Sequence, residues 1–428
     1  MARRRHPHPI EHSLLMTATL CLLAVGAVMV FSASSARTLL SGQGDGTSFL
    51  IRYVVYGGVG FVLMQLVARR GLEIVPRLTG PLLVAAFVAL LLVKVPGIGV
   101  SVNGARRWMG AGPLVFQPSE VMKLALVLYA ARLLAERPKL LRRWQNLGPL
   151  ALVAGGAVLL IASQPDLGTA LVICFTMAAM LVAAGMPVRW LLGAMGGGGV
   201  LVLLYAMSAT YRRDRLMTFL DPWAHAGNEG FQAVQGQIAI GSGGAFGRGL
   251  GESLQKNLFL PEAHTDFILA IVGEELGVVG VWGILFLYGL IAYAGLRVAR
   301  NARGTYAKLL AAGITSLFLS QAMLNVFTVL GLAPLTGVPL PFISYGSTNL
   351  VVLLVGMGLL LNVAGGGNVK LRAVPGPSAT SSRVSADAAA RKADVSGSER
   401  DATNDRDRRR RDRGARGAGA GGRRRAAG

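Results

Sequence analysis

Charged side chains are scarce in this 428-residue chain, 15% against 53% hydrophobic, and the mean hydropathy of +0.52 exceeds what a soluble core of this size produces. That shortage excludes an ordinary water-soluble domain and indicates a polytopic membrane protein. Acidic residues are the scarcer sign, 21 Asp and Glu against 43 Lys and Arg, for a formal net charge of +22. Sixteen of the cations and seven of the anions lie in 370–428, so nine of the +22 belong to a tail, and the basic balance does not argue for nucleic acid. Cysteine is nearly absent. Cys21 and Cys174 both fall inside apolar runs, which leaves neither a disulfide framework nor a thiolate metal site. The five histidines are scattered without HExxH or comparable spacing, so no structural zinc is expected.

What the chain has in abundance is long apolar runs. Ten are candidate spans against an ideal of about 17–25 residues: 14–32, 49–68, 80–95, 121–134, 150–163, 167–185, 190–208, 267–296, 309–330 and 348–363. The expected fold is an all-α polytopic membrane protein of about ten transmembrane helices with one large extracytoplasmic loop, 211–266. The opening MARRR, an apolar run and SASSA imitate a signal peptide, but the run outlasts the usual length of about 7–15 residues and reads as a retained first helix. Residues 1–13 are then a short cytoplasmic segment and 14–364 the membrane domain. The remainder, 365–428, is rich in Gly, Ala, Ser, Asp and Arg and reads as a disordered basic cytoplasmic tail. Its RDRRRRDRGARG and GGRRR runs suit anionic inner-leaflet lipid, or simply a solvated tail.

Basic residues in short loops set orientation. Arg3 to Arg5, Arg69, Arg70, Arg77, Arg137 to Arg143, Arg189 and Arg297 to Lys308 form the richer set; Arg37, Arg52, Lys94, Arg106 and Arg107 form the leaner one. Both termini are therefore expected in the cytoplasm, with Asp166, the 211–266 loop and PLTGVPLPFISYGS on the outer face. In the long loop Phe231, Val234 and Ile238 recur at helical spacing, which fits a helix in the membrane interface and equally one packing on the bundle.

Chemistry-bearing residues gather on that outer side. In NGARRWMGAGPLVFQPSEVMK the adjacent Arg106 and Arg107 suit a pyrophosphate or sugar phosphate. Glu120 and Lys123 are spaced for an i,i+3 pair entering a span behind Pro118, as a structural bridge or a polar lining. Asp166 of SQPDLGTA lies at membrane level, where an acid costs about 2.5–3.5 kcal/mol at a span centre, and structural pairing with an outer arginine is expected. GSGGAFGRGLGES lacks GxxxxGK[ST] and GxGxxG and follows no strand, so it reads as a flexible turn and not a nucleotide loop. YRRDR contributes Arg212 and Arg213. In EAHTDF, His264 and Asp266 share the interface and either could serve as a general base. Glu274 lies about 12 Å deeper than Asp266 at 1.5 Å per residue, about 80° round the helix, with Glu275 about 180° round. Gly273, Gly277, Gly280 and Gly283 permit close helix contact, which suits glutamates paired inside the bundle, while Glu262 reads as a solvated charge.

NGARRW with QPSEVMK, QPDLGTA, LPEAHTDFI followed by GEELG, and LTGVPLPFISYGS resemble, in order, the motifs of the SEDS family of shape, elongation, division and sporulation proteins. EAHTDF and YRRDRLMTFLDPW are closer to its division branch than to its elongation branch, and the resemblance runs from the first span to Val363. It implies a peptidoglycan glycosyltransferase that polymerises lipid II into a nascent glycan strand on the outer face. It also implies a class B penicillin-binding protein as transpeptidase partner among other divisome membrane proteins, with no nucleic acid. The family's functional aspartate falls on Asp266. Arg106, Arg107, Arg212, Arg213 and His264 are then candidates for substrate binding, and Glu120, Lys123, Asp166, Glu274, Glu275 and Ser344 for polar support. No cofactor is required; a divalent cation, Mg or Mn, could share the leaving-group charge, although no ligand cluster points to it. A lipid II flippase and a non-catalytic division scaffold are the alternatives.

Overall fold

An apolar run in lipid has no water to satisfy its backbone, so it closes its hydrogen bonds within a helix. The computed structural model describes residues 9–40, 46–102, 105–111, 114–138, 140, 144–207, 217–228, 230–256 and 260–367. Its helices are α1 (Ile10–Leu40), α2 (Ser48–Arg69), α3 (Val75–Leu92), α4 (Pro118–Glu136), α5 (Gly148–Ala162), α6 (Leu167–Ala183), α7 (Val188–Met207), α8 (Phe231–Gly243), α9 (Ile268–Asn301), α10 (Thr305–Val329) and α11 (Ser347–Ala364). Each expected span falls on a helix, and α8 lies in the long loop. By length and composition six helices among the described residues can cross a membrane, namely α1, α2, α3, α9, α10 and α11; α5 and α6 are shorter apolar helices. The chain is a multi-pass membrane protein. The tail from residue 368, with its basic runs, lies outside the described residues.

α4, α10 and α11 form the buried centre, while α2 packs along α11 and α1 along α9. Val54, Val55, Val59 and Val62 of α2, Leu152 and Leu159 of α5, and Trp282 and Phe286 of α9 turn apolar surface outward, where a bilayer would cover it. The two cysteines, both free, are also exposed on helix faces. Inside α4 the Glu120 and Lys123 side chains are almost fully buried and their charges meet at 2.9 Å. Lys123 Nζ also donates to Gln321 Oε1 of α10 at 2.7 Å, so the two charges enter the core as a pair with a third polar partner.

Two features depart from the sequence expectations. The loop before α4 is not irregular: β1 (Gly99–Val102), β2 (Ala105–Ala111) and β3 (Leu114–Phe116) make a small antiparallel sheet in the order β1-β2-β3. Asn-Gly between alternating residues at 102 and 105 is a strong hairpin signal, and periodicity counted over helical windows passes over so short a pattern.

The second departure is in α9, which breaks at Gly277 (φ 68, ψ −166). The break removes ladder partners that lipid cannot replace, and 244–249 supplies them. The N–H groups of Arg248 and Gly249 donate to the carbonyls of Glu274 and Glu275 at 2.9 and 3.0 Å, and those of Val278 and Val279 donate to Gly244 and Ala245 at 3.0 and 3.2 Å. A Cβ on Gly277 would stand 2.3 Å from the Gly247 nitrogen, so only glycine fits. The glycine-rich run is thus a strap docked on a broken helix and not a flexible turn. Of the glycines expected to permit helix contact, Gly273 closes on Ile240 of α8, Gly277 is the break, and Gly283 faces open space. α8 itself packs on α9 with Val234 buried, whereas Ile238, expected on the same stripe, is exposed.

Candidate active site

Asp266 occupies the turn immediately before α9, so the angles expected between it and the two glutamates around one helix do not apply. Its side chain is partly exposed, and the Thr265 hydroxyl lies 2.9 Å from Oδ1. Burial pushes the Asp266 carboxyl up to about 6; the Thr265 hydrogen bond and a backbone N–H oppose that rise, and the charge of Glu262 adds to it. A carboxylate so tuned is ionised at neutral pH and still basic enough to take a proton from a hydroxyl in flight. His264 is only 5% exposed, packed against Phe49 (4.5 Å between centroids) and Tyr345 (5.7 Å), with the Arg52 guanidinium over Phe49. It is enclosed by protein, which removes it from the substrate contacts expected of it.

The wall beside Asp266 is the non-helical segment between α10 and α11. Prolines at 334, 339 and 341 keep it from folding as helix and leave its carbonyls without local donors. Side chains from three helices take up those carbonyls. Asn325 Nδ2 donates to Val338 O at 2.7 Å and Gln321 Nε2 to Pro339 O at 2.9 Å, both from α10. Tyr288 of α9 reaches Pro341 O and Tyr53 of α2 reaches Phe342 O, each at 2.5 Å. Ser344 Oγ accepts from the Leu340 N–H at 2.8 Å and closes the turn in which Phe342 takes φ 65. The end of the segment joins the base turn, because Tyr345 N–H donates to His264 O at 3.0 Å. At Gly337 (φ 64) an added Cβ would come 3.9 Å from Asp266 Oδ2.

The hairpin that carries the paired arginines is pinned to the same junction. Ser347 Oγ donates to Val115 O at 3.1 Å, and the Gln117 N–H to Thr348 Oγ1 at 3.1 Å. The β1–β2 register pairs Ser101 with Arg106 and Val100 with Trp108, so Arg107 is the extra residue of a bulge. The bulge turns the two arginines to different uses. Arg107 donates to the carbonyls of Gln164 (2.9 Å) and Pro165, which ties the hairpin to the start of α6, whereas Arg106 is exposed. Arg212 and Arg213 lie outside the described residues.

Asp166 does not pair with an arginine as expected. It caps α6, accepting from the Thr169 N–H at 3.2 Å and from Gln117 Nε2 at 3.3 Å, so the donors and favourable dipole of a helix start offset the burial of its charge. Glu274 and Glu275 are buried partners, as expected, and both hold the strap. Glu274 accepts from Ser253 Oγ (2.5 Å) and Leu254 N–H (3.0 Å), with Arg248 at 3.9 Å. Glu275 accepts from Ser32 Oγ of α1 (2.6 Å) and meets Lys256 Nζ at 3.0 Å. Asn325, Gln321, Tyr53 and Tyr288 were missed by motif reading. The signal available was a lone amide or phenol inside an apolar span, which is costly unless it has a partner.

The family model FtsW/RodA/SpoVE, described as Cell cycle protein, matches residues 12–367. The chain is 39% identical over 354 residues to stage V sporulation protein E of Bacillus subtilis, covering 82% of this chain and 96% of that one. It is 39% identical over 346 residues to a probable peptidoglycan glycosyltransferase FtsW of a Geobacter species, covering 80% and 94%. Among solved structures, a chain of a peptidoglycan synthase complex in which polymerization and crosslinking are coordinated aligns with TM-score 0.69 at 31% identity, over 82% of this chain and 96% of that one. The Thermus thermophilus rod shape determining protein RodA aligns with TM-score 0.61 at 31% identity, over 83% and 97%.

Proposed function

The chain belongs to the FtsW/RodA/SpoVE family of membrane proteins, and from that premise we propose that it is a peptidoglycan glycosyltransferase with Asp266 as its general base. The observation that carries the reading is geometric: a partly exposed carboxylate, Asp266, in a turn tied through His264 O to the 336–345 wall, with burial raising that carboxyl. The substrate is lipid II, the surface is the outer face of the cytoplasmic membrane, and both termini are cytoplasmic. The setting is the division septum, beside a class B penicillin-binding protein that crosslinks the strand. In the reaction Asp266 takes the proton of the acceptor sugar 4-hydroxyl as that oxygen forms its bond to the donor anomeric carbon. The bond from that carbon to the pyrophosphate oxygen breaks, and undecaprenyl pyrophosphate leaves with the electron pair. One displacement inverts an α-linked donor into a β-linked polymer with one base and no sugar-enzyme intermediate.

Arg106, exposed on the hairpin pinned to the same junction, is a described cation available to the departing pyrophosphate, with Arg52 beside Phe49 and Tyr345 a second, and Arg107 supports the hairpin by fixing it. Among the described residues no three His, Cys, Asp or Glu side chains converge on a metal site. A divalent cation would need carboxylate ligands, of which the base turn carries Asp266 and Glu262, and no step is routed through it. The flippase reading needs an open polar path. Its candidate linings are engaged: Glu120 with Lys123, Asp166 as a cap, and Glu274 with the strap.

The test is polymerisation of labelled lipid II by the purified protein with its transpeptidase partner, wild type against Asp266→Asn. Loss of a general base costs about 10²–10⁴-fold in rate. Full polymerisation by the variant would remove Asp266 from the chemistry. Lost lipid translocation with polymerisation intact would support the flippase instead.

A further inference from the structure

Among the described residues Glu262, of its own turn, is the charged group that acts on the Asp266 carboxyl, beside the Thr265 hydroxyl and the packed His264; the 336–345 wall brings Gly337 near Oδ2, and α10 brings no charge, its Asn325 amide meeting the Asp266 backbone carbonyl. Asn325 reaches the base through the backbone. Its Nδ2 donates to the Asp266 carbonyl and to the Val338 carbonyl, both at 2.7 Å. Both acceptors are carbonyls with no proton to give, so the amide must point its nitrogen at them, and its orientation is fixed by chemistry. The residue is 1% exposed, and Oδ1 is buried with no hydrogen-bond partner among the described residues. An apolar side chain would fill this place in α10 with no such orphan.

The two carbonyls held by one amide belong to the two surfaces that define the site. One is the turn that carries the carboxylate; the other adjoins Gly337, where a Cβ would come 3.9 Å from Asp266 Oδ2. We propose that Asn325 is a positioning residue for glycosyl transfer, fixing the Asp266 turn against the 336–345 wall so that the carboxylate stands where the acceptor hydroxyl arrives. The inference rests on the glycosyltransferase reading of the site. A base must come within about 2.6–3.2 Å of the oxygen it deprotonates. A misplacement of about 1 Å costs on the order of 10²-fold in rate. Asn362, a buried amide at the opposite end of α11 that donates to the Val67 and Ala68 carbonyls at 3.0 and 3.1 Å, away from Asp266 and the wall, provides the internal control.

The experiment uses the full chain with its transpeptidase partner and compares wild type, Asn325→Ala, the isosteric Asn325→Asp, and Asn362→Ala. Rates of labelled lipid II polymerisation are measured against concentration and pH. In parallel, a hydrophobic carbodiimide labels protonated Asp266, with the adduct quantified by mass spectrometry at each pH. For both Asn325 variants kcat falls about 10–100-fold with KM held within about twofold. In Asn325→Ala the opened space admits water, so the acid limb of the rate and the labelling midpoint move down from about 6 toward the ordinary carboxylate value of about 4. Asn362→Ala stays within about twofold of wild type and moves neither.

Retention of kcat in Asn325→Ala overturns the proposal. So does a loss that Asn362→Ala reproduces with the labelling midpoint unmoved, since that is the behaviour of a merely structural clamp. Should Asn325→Ala fail to fold, Asn325→Asp carries the kcat and KM readout: a selective loss of kcat supports positioning, and wild-type kcat overturns it. Labelling needs no turnover, so the two readings fail separately. A wild type that does not polymerise, with the midpoint still shifted in Asn325→Ala, sinks the enzymatic reading and leaves the positioning of Asp266. A wild type that polymerises with unaffected Asn325 variants sinks the positioning alone.

Discussion

The strap at 244–256 and the wall at 336–345 answer one problem with opposite chemistry. Each brings irregular backbone against the helices of a membrane protein, where unsatisfied N–H and C=O groups are costly. The strap is held by charge: Glu274 and Glu275 receive Ser253, Leu254, Ser32 and Lys256. The wall is held by neutral groups, two amides and two phenols, each donating to one of its carbonyls. Only the wall adjoins Asp266. A neutral frame gives the base no cationic partner among the described residues that would pull its carboxyl down and weaken it as a base, while the charged clamp works at the Gly277 break, with the nine residues of α9 from Ile268 to Leu276 between it and the base turn.

The contrast predicts unequal costs of breaking the two clamps. Lys256→Met leaves Glu275 buried with Ser32 alone and is expected to destabilise the protein by about 3–5 kcal/mol, the range for breaking a buried pair. Thermal unfolding in detergent measures it. Replacing both members, Lys256→Met with Glu275→Leu, should recover much of that loss, because the uncompensated charge is then gone. A single variant as stable as wild type would show that the pair is open to water and the clamp is not electrostatic.

Next in size is Gly277→Ala. The methyl meets the Gly247 nitrogen and the Ala245 carbonyl, and the residue must keep φ 68. About 1–3 kcal/mol is expected for the backbone conformation alone, with the strap released from α9. Hydrogen exchange should rise first at Arg248, Gly249, Val278 and Val279, whose N–H groups make the exchange of bonds across the break.

Helices were legible because apolar length is a one-dimensional signal, and each expected span lies on one. The break at Gly277 was not, since its glycine sits in an apolar run that only Glu274 and Glu275 interrupt and its partner segment lies about thirty residues upstream in a stretch that composition alone calls a turn. Asp266 was legible as an acid at the start of a span. Its frame was not: Tyr53, Tyr288, Gln321 and Asn325 come from three helices and act on carbonyls, which no residue pattern encodes. Asp166 shows the same limit from the other side, because sequence marks a buried acid as needing a partner but does not distinguish a helix cap from an arginine.

Single phenol deletions on the neutral clamp should cost less than either change to the charged one. Tyr53→Phe and Tyr288→Phe each remove one hydrogen bond to a wall carbonyl, with about 0.5–1.5 kcal/mol expected apiece. Their effects should exceed additivity in the double variant, since Pro341 O and Phe342 O are neighbours in one turn. Simple addition would mean that the two carbonyls relax independently and that the wall is not one unit.

The smallest effect, and the most direct on the base, is expected from Thr265→Val. The Thr265 hydroxyl favours the ionised carboxyl of Asp266, so its loss raises a value already pushed up to about 6 by burial. The acid limb of the polymerisation rate should move to higher pH, with activity near pH 8 retained, since the base is ionised there in both proteins. The stability linkage has its own sign: with a folded value above the unfolded one, the neutral carboxyl favours the fold, and that contribution is present below about pH 4 and lost as pH rises through about 6. Thr265→Val should extend the loss to higher pH. An acid limb that moves down instead would mean that water replaces the hydroxyl and solvates the carboxylate better than the threonine did.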